Sequence, residues 1–276
     1  MFGMPLNELL LAAAAIVGGG VVAGVLAGLF GVGGGVVVVP VLYEVFRLLD
    51  VPDAVHMQLC VGTSLAIMVP TNIRSYLTHR ATGEVLTDVV RQWTPGVIVG
   101  IAAGSAIATV APSTVFKIAF IIIAAIISGK LLFARQSWRL RGDLPRQRLA
   151  RLYGLAVGVM ASLTGVSGGS LCTMVLTLYG KPIHQAIATS AAIVVPIAVV
   201  GTLGYIVAGL PHQAQLPPFS IGFVSLIGFA LMAPVSSITA SWGARMAHVI
   251  PRRALELAFG LFLLTASLRF LASLLW

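Results

Sequence analysis

The sequence predicts an all-α, polytopic integral membrane protein made of two inverted repeats, each with a broken helix hairpin plus three spanning helices. Three observations carry that reading: an apolar composition, a series of apolar runs about as long as a bilayer is thick, and a set of motifs that occurs twice in the same order. Hydrophobic residues make up 58% of the 276 positions and charged residues 9%, whereas a soluble domain carries roughly 25% charged residues. The polar surface that water demands is missing. Glycine is abundant at 30 residues, as expected where membrane helices pack backbone to backbone.

About 20 helical residues cross the roughly 30 Å of bilayer hydrocarbon. That length places helices near residues 6–30, 54–79, 86–110, 113–135, 148–164, 183–208, 219–247 and 252–274. Two further apolar pieces, near 34–47 and 169–180, are short, and each follows a glycine cluster. The runs are continuous rather than alternating, which argues against strands. The amino-terminal MFGMPLNELL has no basic residue ahead of its apolar run, so a cleaved signal peptide is not expected. The order of runs divides the chain into an N-terminal transmembrane repeat (1–135), a basic cytoplasmic linker (136–150) and a C-terminal transmembrane repeat (151–276).

The formal charge of +9 is concentrated. Arg135, Arg139, Arg141, Arg146, Arg148 and Arg151 fall in one short segment with the single acid Asp143. Between long apolar runs this is the signature of a cytoplasmic loop, with anionic membrane lipid as a second contact. Nucleic acid is excluded as a partner, because a binding surface would interleave aromatic residues with the basic ones and only Trp138 is there. Cys60 and Cys172 lie in apolar segments outside any CxxC or Cys/His cluster, so neither a disulfide framework nor a metal site is expected. No cofactor is implied.

The duplication is the most informative feature. GLFGVGGG at 28–35 matches SLTGVSGG at 162–169 in five of eight positions, and TSLAIMVP at 63–70 matches TSAAIVVP at 189–196 in six of eight. Gly104, Pro112, Ala119, Phe120 and Ser128 then align with Gly243, Pro251, Ala258, Phe259 and Ser267. With the arginine-rich linker inside, counting spans puts the Asp50–Asp53 turn, 110–113 and 211–218 outside. The same count puts His79–Arg80, Lys181 and Arg252–Arg253 inside. Each half then makes an odd number of crossings, and the second half is inverted. Inverted repeats with discontinuous helices are the architecture of many secondary transporters.

The two glycine turns are the first site candidates: Gly33, Gly34 and Gly35 in one half, and Ser167, Gly168, Gly169 and Ser170 in the other. Each leads into a short helix whose first N–H groups lack partners within the helix and, with the helix dipole, favour an anion. The alternative is that these glycines only permit tight helix crossing. A nucleotide P-loop is excluded, since no Lys-Ser/Thr follows the last glycine. Thr63, Ser64, Thr189 and Ser190 offer neutral donors, or else bond to their own helices. Pro70 and Pro196 lie mid-helix as candidate hinges. Asn72 and Arg74 are the most polar residues of their span; an intramembrane arginine is a functional candidate, though Arg74 lies near the inner end, where it can snorkel. His56, His184 and His212 are candidate proton relays near helix ends. No pair of carboxylates lies deep in a span, so a carboxylate-based sodium site is not expected.

At the duplicated glycine motif, the two Thr-Ser blocks and the basic linker, the chain resembles the TauE/SafE family of membrane transporters over about residues 8–275. The resemblance implies outward carriage of a small sulfur-containing anion such as sulfite, sulfoacetate or a related sulfonate. The second half departs from the motif in having Ser167 where the first has a glycine. Import or bidirectional carriage of another anion (thiosulfate, a carboxylate) and an anion channel are the competing functions, a homodimer is compatible with the chain, and a bacterial inner membrane is the expected location. An intramembrane enzyme is excluded by the lack of a clustered nucleophile and base.

Overall fold

A computed structural model describes residues 6–30, 34–80, 84–133, 147–166, 168–246 and 252–275. Among these, ten α-helices run in chain order: α1 (Leu6–Phe30), α2 (Gly35–Leu48), α3 (Asp53–Arg80), α4 (Thr87–Ile107), α5 (Ser113–Phe133), α6 (Gln147–Thr164), α7 (Gly169–Leu178), α8 (Ile183–Gly209), α9 (Leu226–Met246) and α10 (Arg252–Leu275). Three segments are both long and apolar enough to cross a bilayer: Asp53–Arg80, Ile183–Gln215 and Leu226–Gly243. By length alone, α1, α4, α5 and α10 also reach the roughly 20 residues that a span requires. With 14 and 10 residues, α2 and α7 extend only about 21 and 15 Å at 1.5 Å per residue. They enter the bundle without crossing it.

The two short helices end alike. Beyond α2, the N–H of Val51 bonds to Phe46 O and that of Asp50 to Arg47 O, with Asp50 at φ +52°. Beyond α7, the N–H of Lys181 bonds to Leu176 O and that of Gly180 to Thr177 O, with Gly180 at φ +76°. Both are left-handed C-terminal caps, and both are followed by proline (Pro52, Pro182), which cannot continue the helix.

Glycine contacts reveal the helix directions. Gly20 and Gly24 of α1 meet Met232 and Ser236 of α9, so these helices run parallel; Gly96, Gly100 and Gly104 of α4 meet Arg151, Leu155 and Ser162 of α6 in the same way. Small residues spaced by four let the backbones approach closely. α3 runs parallel to α9, through Thr63–Ser225 and Thr71–Ser236. It runs antiparallel to α8, through Gly62–Tyr205 and Leu65–Gly201. α8 in turn runs parallel to α4, through Thr189–Leu86 and Gly204–Ser105. Helix α2 is antiparallel to α1, through Gly34–Ala23 and Val41–Gly19, and to α3, through Gly35–Ser64 and Tyr43–His56. Following these contacts through the chain, α1 and its repeat-mate α6 point in opposite directions, and so do α3 and α8. The halves are inverted, and packing exchanges them: α1 lies on α9 while α6 lies on α4, and α5 and α10 pack on each other.

Helix α3 is the centre, buried without a break from Val55 to Met68. At the periphery, apolar side chains are exposed in helical stripes: Ile118, Ile122 and Ile126 on α5, and Leu261, Leu264, Leu268 and Leu271 on α10. Such continuous apolar surface is incompatible with water and suits lipid.

Two expectations are corrected. The helix expected from 219 begins at Leu226, and the preceding residues form a 3₁₀ turn (Leu210–Gln215) and a two-residue hairpin, β1 (Ser220–Ile221) with β2 (Val224–Ser225). Strands were not expected anywhere. Pro217 and Pro218 break helical hydrogen bonding, and Phe219 (φ +61°) and Gly222 (φ +52°) turn the chain back. The hairpin drives Phe223 into the bundle, where it is fully buried against Tyr205.

Candidate functional site

The two glycine turns come together near the middle of the bundle. Gly34 and Gly168 are the left-handed N-caps of α2 and α7, at φ +69° and +63°, and neither helix start has a side-chain cap. The Gly34 position touches the Ala23 carbonyl of α1. Gly35 lies against the Gly165 carbonyl of the other repeat's turn, so that a side chain at 35 would overlap it. That same carbonyl accepts a hydrogen bond from Ser64 Oγ at 3.0 Å. Gly35, Gly165 and Ser64 thus tie the two repeats together. Gly33 and Ser167 lie outside the described residues, as does most of the basic linker.

The Thr-Ser pairs are placed symmetrically but do not converge. Thr63 Oγ1 accepts the N–H of Ser225 at 2.9 Å, immediately ahead of α9, and Thr189 Oγ1 accepts the N–H of Leu86 at 3.0 Å, immediately ahead of α4. Each threonine therefore caps the approach to the corresponding helix of the opposite repeat. Ser190 Oγ donates to Ala186 O at 2.7 Å and pairs with Thr173 Oγ1 at 2.8 Å. Leu65 meets Gly201 across the antiparallel α3–α8 crossing, which puts Ser64 level with about Thr202. Ser190 is then about twelve residues away along α8, roughly 18 Å at 1.5 Å per residue. One small anion cannot touch both serines. Five residues beyond Leu65 and five before Gly201 stand Pro70 and Pro196, level with each other at the pseudo-symmetry centre.

Close to that centre the protein leaves polar groups without partners. Asn72 is 2% exposed, and its Nδ2 has no hydrogen-bond acceptor; Ser75 Oγ, one turn further along α3, is also buried and unpaired. Asn72 follows Met68 by one turn on the face of α3 that meets the start of α2, where Met68 Sδ and Ser64 Oγ flank Gly35. In the other repeat, Ser170 Oγ in the first turn of α7 is the unpaired group. Buried polar atoms are almost always satisfied, so a set of orphans able to donate, Asn72 on the face of α3 that meets the start of α2 and Ser170 in the first turn of α7, is suited to an anion at these uncapped helix N-termini. Arg74 does not join it: its side chain is exposed towards the end of α3, the snorkelling arrangement. His56 is occupied too, with Nε2 bonded to Tyr43 O at 3.0 Å and its ring stacked on Tyr43.

Sequence reasoning overlooked Lys117. It is the fifth residue of α5, 8% exposed, with Nζ 5.3 Å from the centre of the Tyr43 ring and no ion-pair partner among the described residues. An isolated lysine inside an apolar run (STVFKIAF) was the available signal.

A family profile described as "Sulfite exporter TauE/SafE" matches residues 16–270. The chain belongs to that family. This TauE/SafE membrane transporter is 29% identical over 250 residues to a probable membrane transporter protein of Haemophilus influenzae, covering 90% of this chain and 94% of the relative. It is 25% identical over 223 residues to a probable membrane transporter protein of Methanocaldococcus jannaschii, covering 78% of each. No solved structure matches. The shared description fits a chain whose duplicated broken helices meet at the centre of an apolar bundle.

Proposed function

We propose that this TauE/SafE transporter is a secondary carrier that exports a small sulfur-containing anion (sulfite, sulfoacetate or a related organosulfonate) across a bacterial inner membrane. The observation that carries the reading is the set of unpaired donors, Asn72 Nδ2, Ser75 Oγ and Ser170 Oγ, beside the uncapped N-termini of α2 and α7. An ionised sulfonate or sulfite group presents three oxygens and no donor of its own, which such a set complements. Neutral donors and helix dipoles hold an anion without placing a fixed charge at mid-membrane, where it is costly. Pro70 and Pro196, at one height in α3 and α8, each free a carbonyl and permit a bend, and are the natural hinges for exposing the site alternately to either side.

The test is flux in proteoliposomes over sulfite, sulfoacetate, taurine, thiosulfate and lactate. Saturable, counterflow-competent transport of sulfite or sulfoacetate is expected. Asn72→Asp should abolish it, because an isosteric carboxylate replaces the donor with a repelling charge, while Asn72→Gln retains part of it. Transport confined to lactate would overturn the sulfur-anion class, and transport confined to thiosulfate would overturn sulfite and organosulfonates as the substrates. Flux that neither saturates nor shows counterflow would identify a channel.

A further inference from the structure

We propose that the cavity around Lys117, at the end of the bundle where α3 and α5 begin, is an anion port: a second, charged site where the anion docks between bulk solvent and the central site. The proposal rests on the anion-carrier reading above. The cavity has a volume of about 580 Å³ and is lined by the first turns of α3 and α5, the 108–112 turn and the 3₁₀ turn, with Phe223 among its lining residues. At about 30 Å³ per water, it has room for a small oxyanion with much of its hydration shell.

Three observations point to an anion. Lys117 is more than nine-tenths buried, lines the cavity and has no carboxylate partner among the described residues. Glu44, an acid that could serve, is held by Arg47 at 2.8 Å and Arg269 at 2.9 Å, and Asp53 at the cavity wall turns its side chain to solvent, 93% exposed. The Tyr43 ring face supports the ammonium but leaves its charge uncompensated. Second, His212, another lining residue, has its Nδ1 buried without a partner. Third, the first turns of α3 and α5 line the cavity, and helix N-termini favour negative charge; the ends of α4 and α10 line it as well, so the net preference for an anion comes from Lys117. The lining is also held in place: Gln58 Nε2 donates to Ala111 O at 2.9 Å, and Ser113 Oγ donates to Gln58 Oε1 at 3.0 Å and contacts Asp53 O. With these donors committed, Lys117 is the charged group of the lining that meets a ligand.

The charge belongs to one face. In the repeat register that aligns Ala119 with Ala258, Lys117 corresponds to Glu256, so the duplicated fold does not require a cation here. Phe223 packs against Gly62, next to Thr63 and Ser64 on α3. Buried between the cavity and the Ser64–Gly165 contact, it forms the floor that an anion must pass.

Gln215 lines the cavity and is exposed. In a background with Cys60 and Cys172 replaced by alanine, Gln215→Cys reports occupancy through its rate of labelling by a maleimide. Sulfoacetate and inorganic sulfate, which do not consume the reagent, are the probes, with ionic strength held constant by gluconate. Both should slow labelling saturably. Lys117→Arg should keep the protection, and Lys117→Met should weaken the apparent affinity about tenfold or more, the effect of losing a charged hydrogen-bond partner. Lys117→Gln repeats the neutralisation should the methionine variant not assemble. Absent protection, or equal protection after neutralisation, would overturn the port. Flux is measured in the same Gln215→Cys protein: flux without protection overturns the port and leaves the carrier, and protection without flux does the reverse.

Discussion

Replacing Gly34 by alanine tests the central claim that the broken-helix turn needs glycine for both its backbone conformation and its close contact. Gly34 holds φ +69°, and an added Cβ would lie 2.7 Å from Ala23 O and 3.2 Å from Ala23 C in the α1 backbone. The left-handed conformation costs a side-chain-bearing residue about 1–2 kcal/mol, and overlap with a fixed backbone adds about 1–3 kcal/mol, for a total of about 2–5 kcal/mol. Two other glycines separate these terms. Gly180 has φ +76° with nothing within 4 Å of the added atom, so Gly180→Ala should cost only the conformational part, about 1–2 kcal/mol. Gly129 has open space and an ordinary helical backbone, so alanine there should be neutral or stabilising by up to about 1 kcal/mol. Apparent melting temperature of the purified protein in one detergent is the assay, with flux measured on the same samples. The expected order of stability is Gly129→Ala, then Gly180→Ala, then Gly34→Ala. If Gly34→Ala melted with Gly129→Ala, the turn would be neither strained nor tightly packed, and the argument for a built helix break would fail.

Thr63→Val and Thr189→Val should each cost about 1–3 kcal/mol, because each strands an N–H ahead of a helix of the other repeat, buried at Ser225 and part-buried at Leu86; a loss in one but not the other would contradict the symmetric capping. Ser64→Ala and Ser190→Ala, with different partners and roughly 18 Å apart, should be additive in melting free energy to within about 0.5 kcal/mol; strong coupling would mean that they share a ligand after all. Cysteines at Gln147 and Gln215, introduced singly, should label from opposite sides of the membrane with an impermeant reagent, the linker side being cytoplasmic; labelling from one side would refute the inversion.

Much of this architecture is legible along the chain because its causes are local. Helices follow from apolar length, and the breaks at 31–35 and 165–169 follow from glycine, which alone adopts positive φ without penalty at Gly34 and Gly168. The inversion follows from counting crossings between basic loops. The hairpin ahead of α9 was missed because apolar Phe219–Ser225 reads as helix in composition; Pro217, Pro218 and Gly222 were the local signals for the turn, and the burial of Phe223 beside Tyr205 is the part that only the packing supplies.

The sequence by itself determined that the protein is duplicated, membrane-embedded and broken at two corresponding turns, since hydrophobic length, charge placement and backbone freedom are properties of neighbouring residues. Only the tertiary structure decided what the polar groups do. Thr63 and Thr189 became caps on the opposite repeat, Ser64 and Ser190 were separated, Arg74 was turned outward, and Asn72 was left unpaired beside the turn. Lys117 came to rest over Tyr43, 74 positions away in the chain. The reason is the register at which helices cross: sliding α3 along α8 by one turn, about 5.4 Å, would leave every helix and every motif intact while giving each of these side chains a different partner.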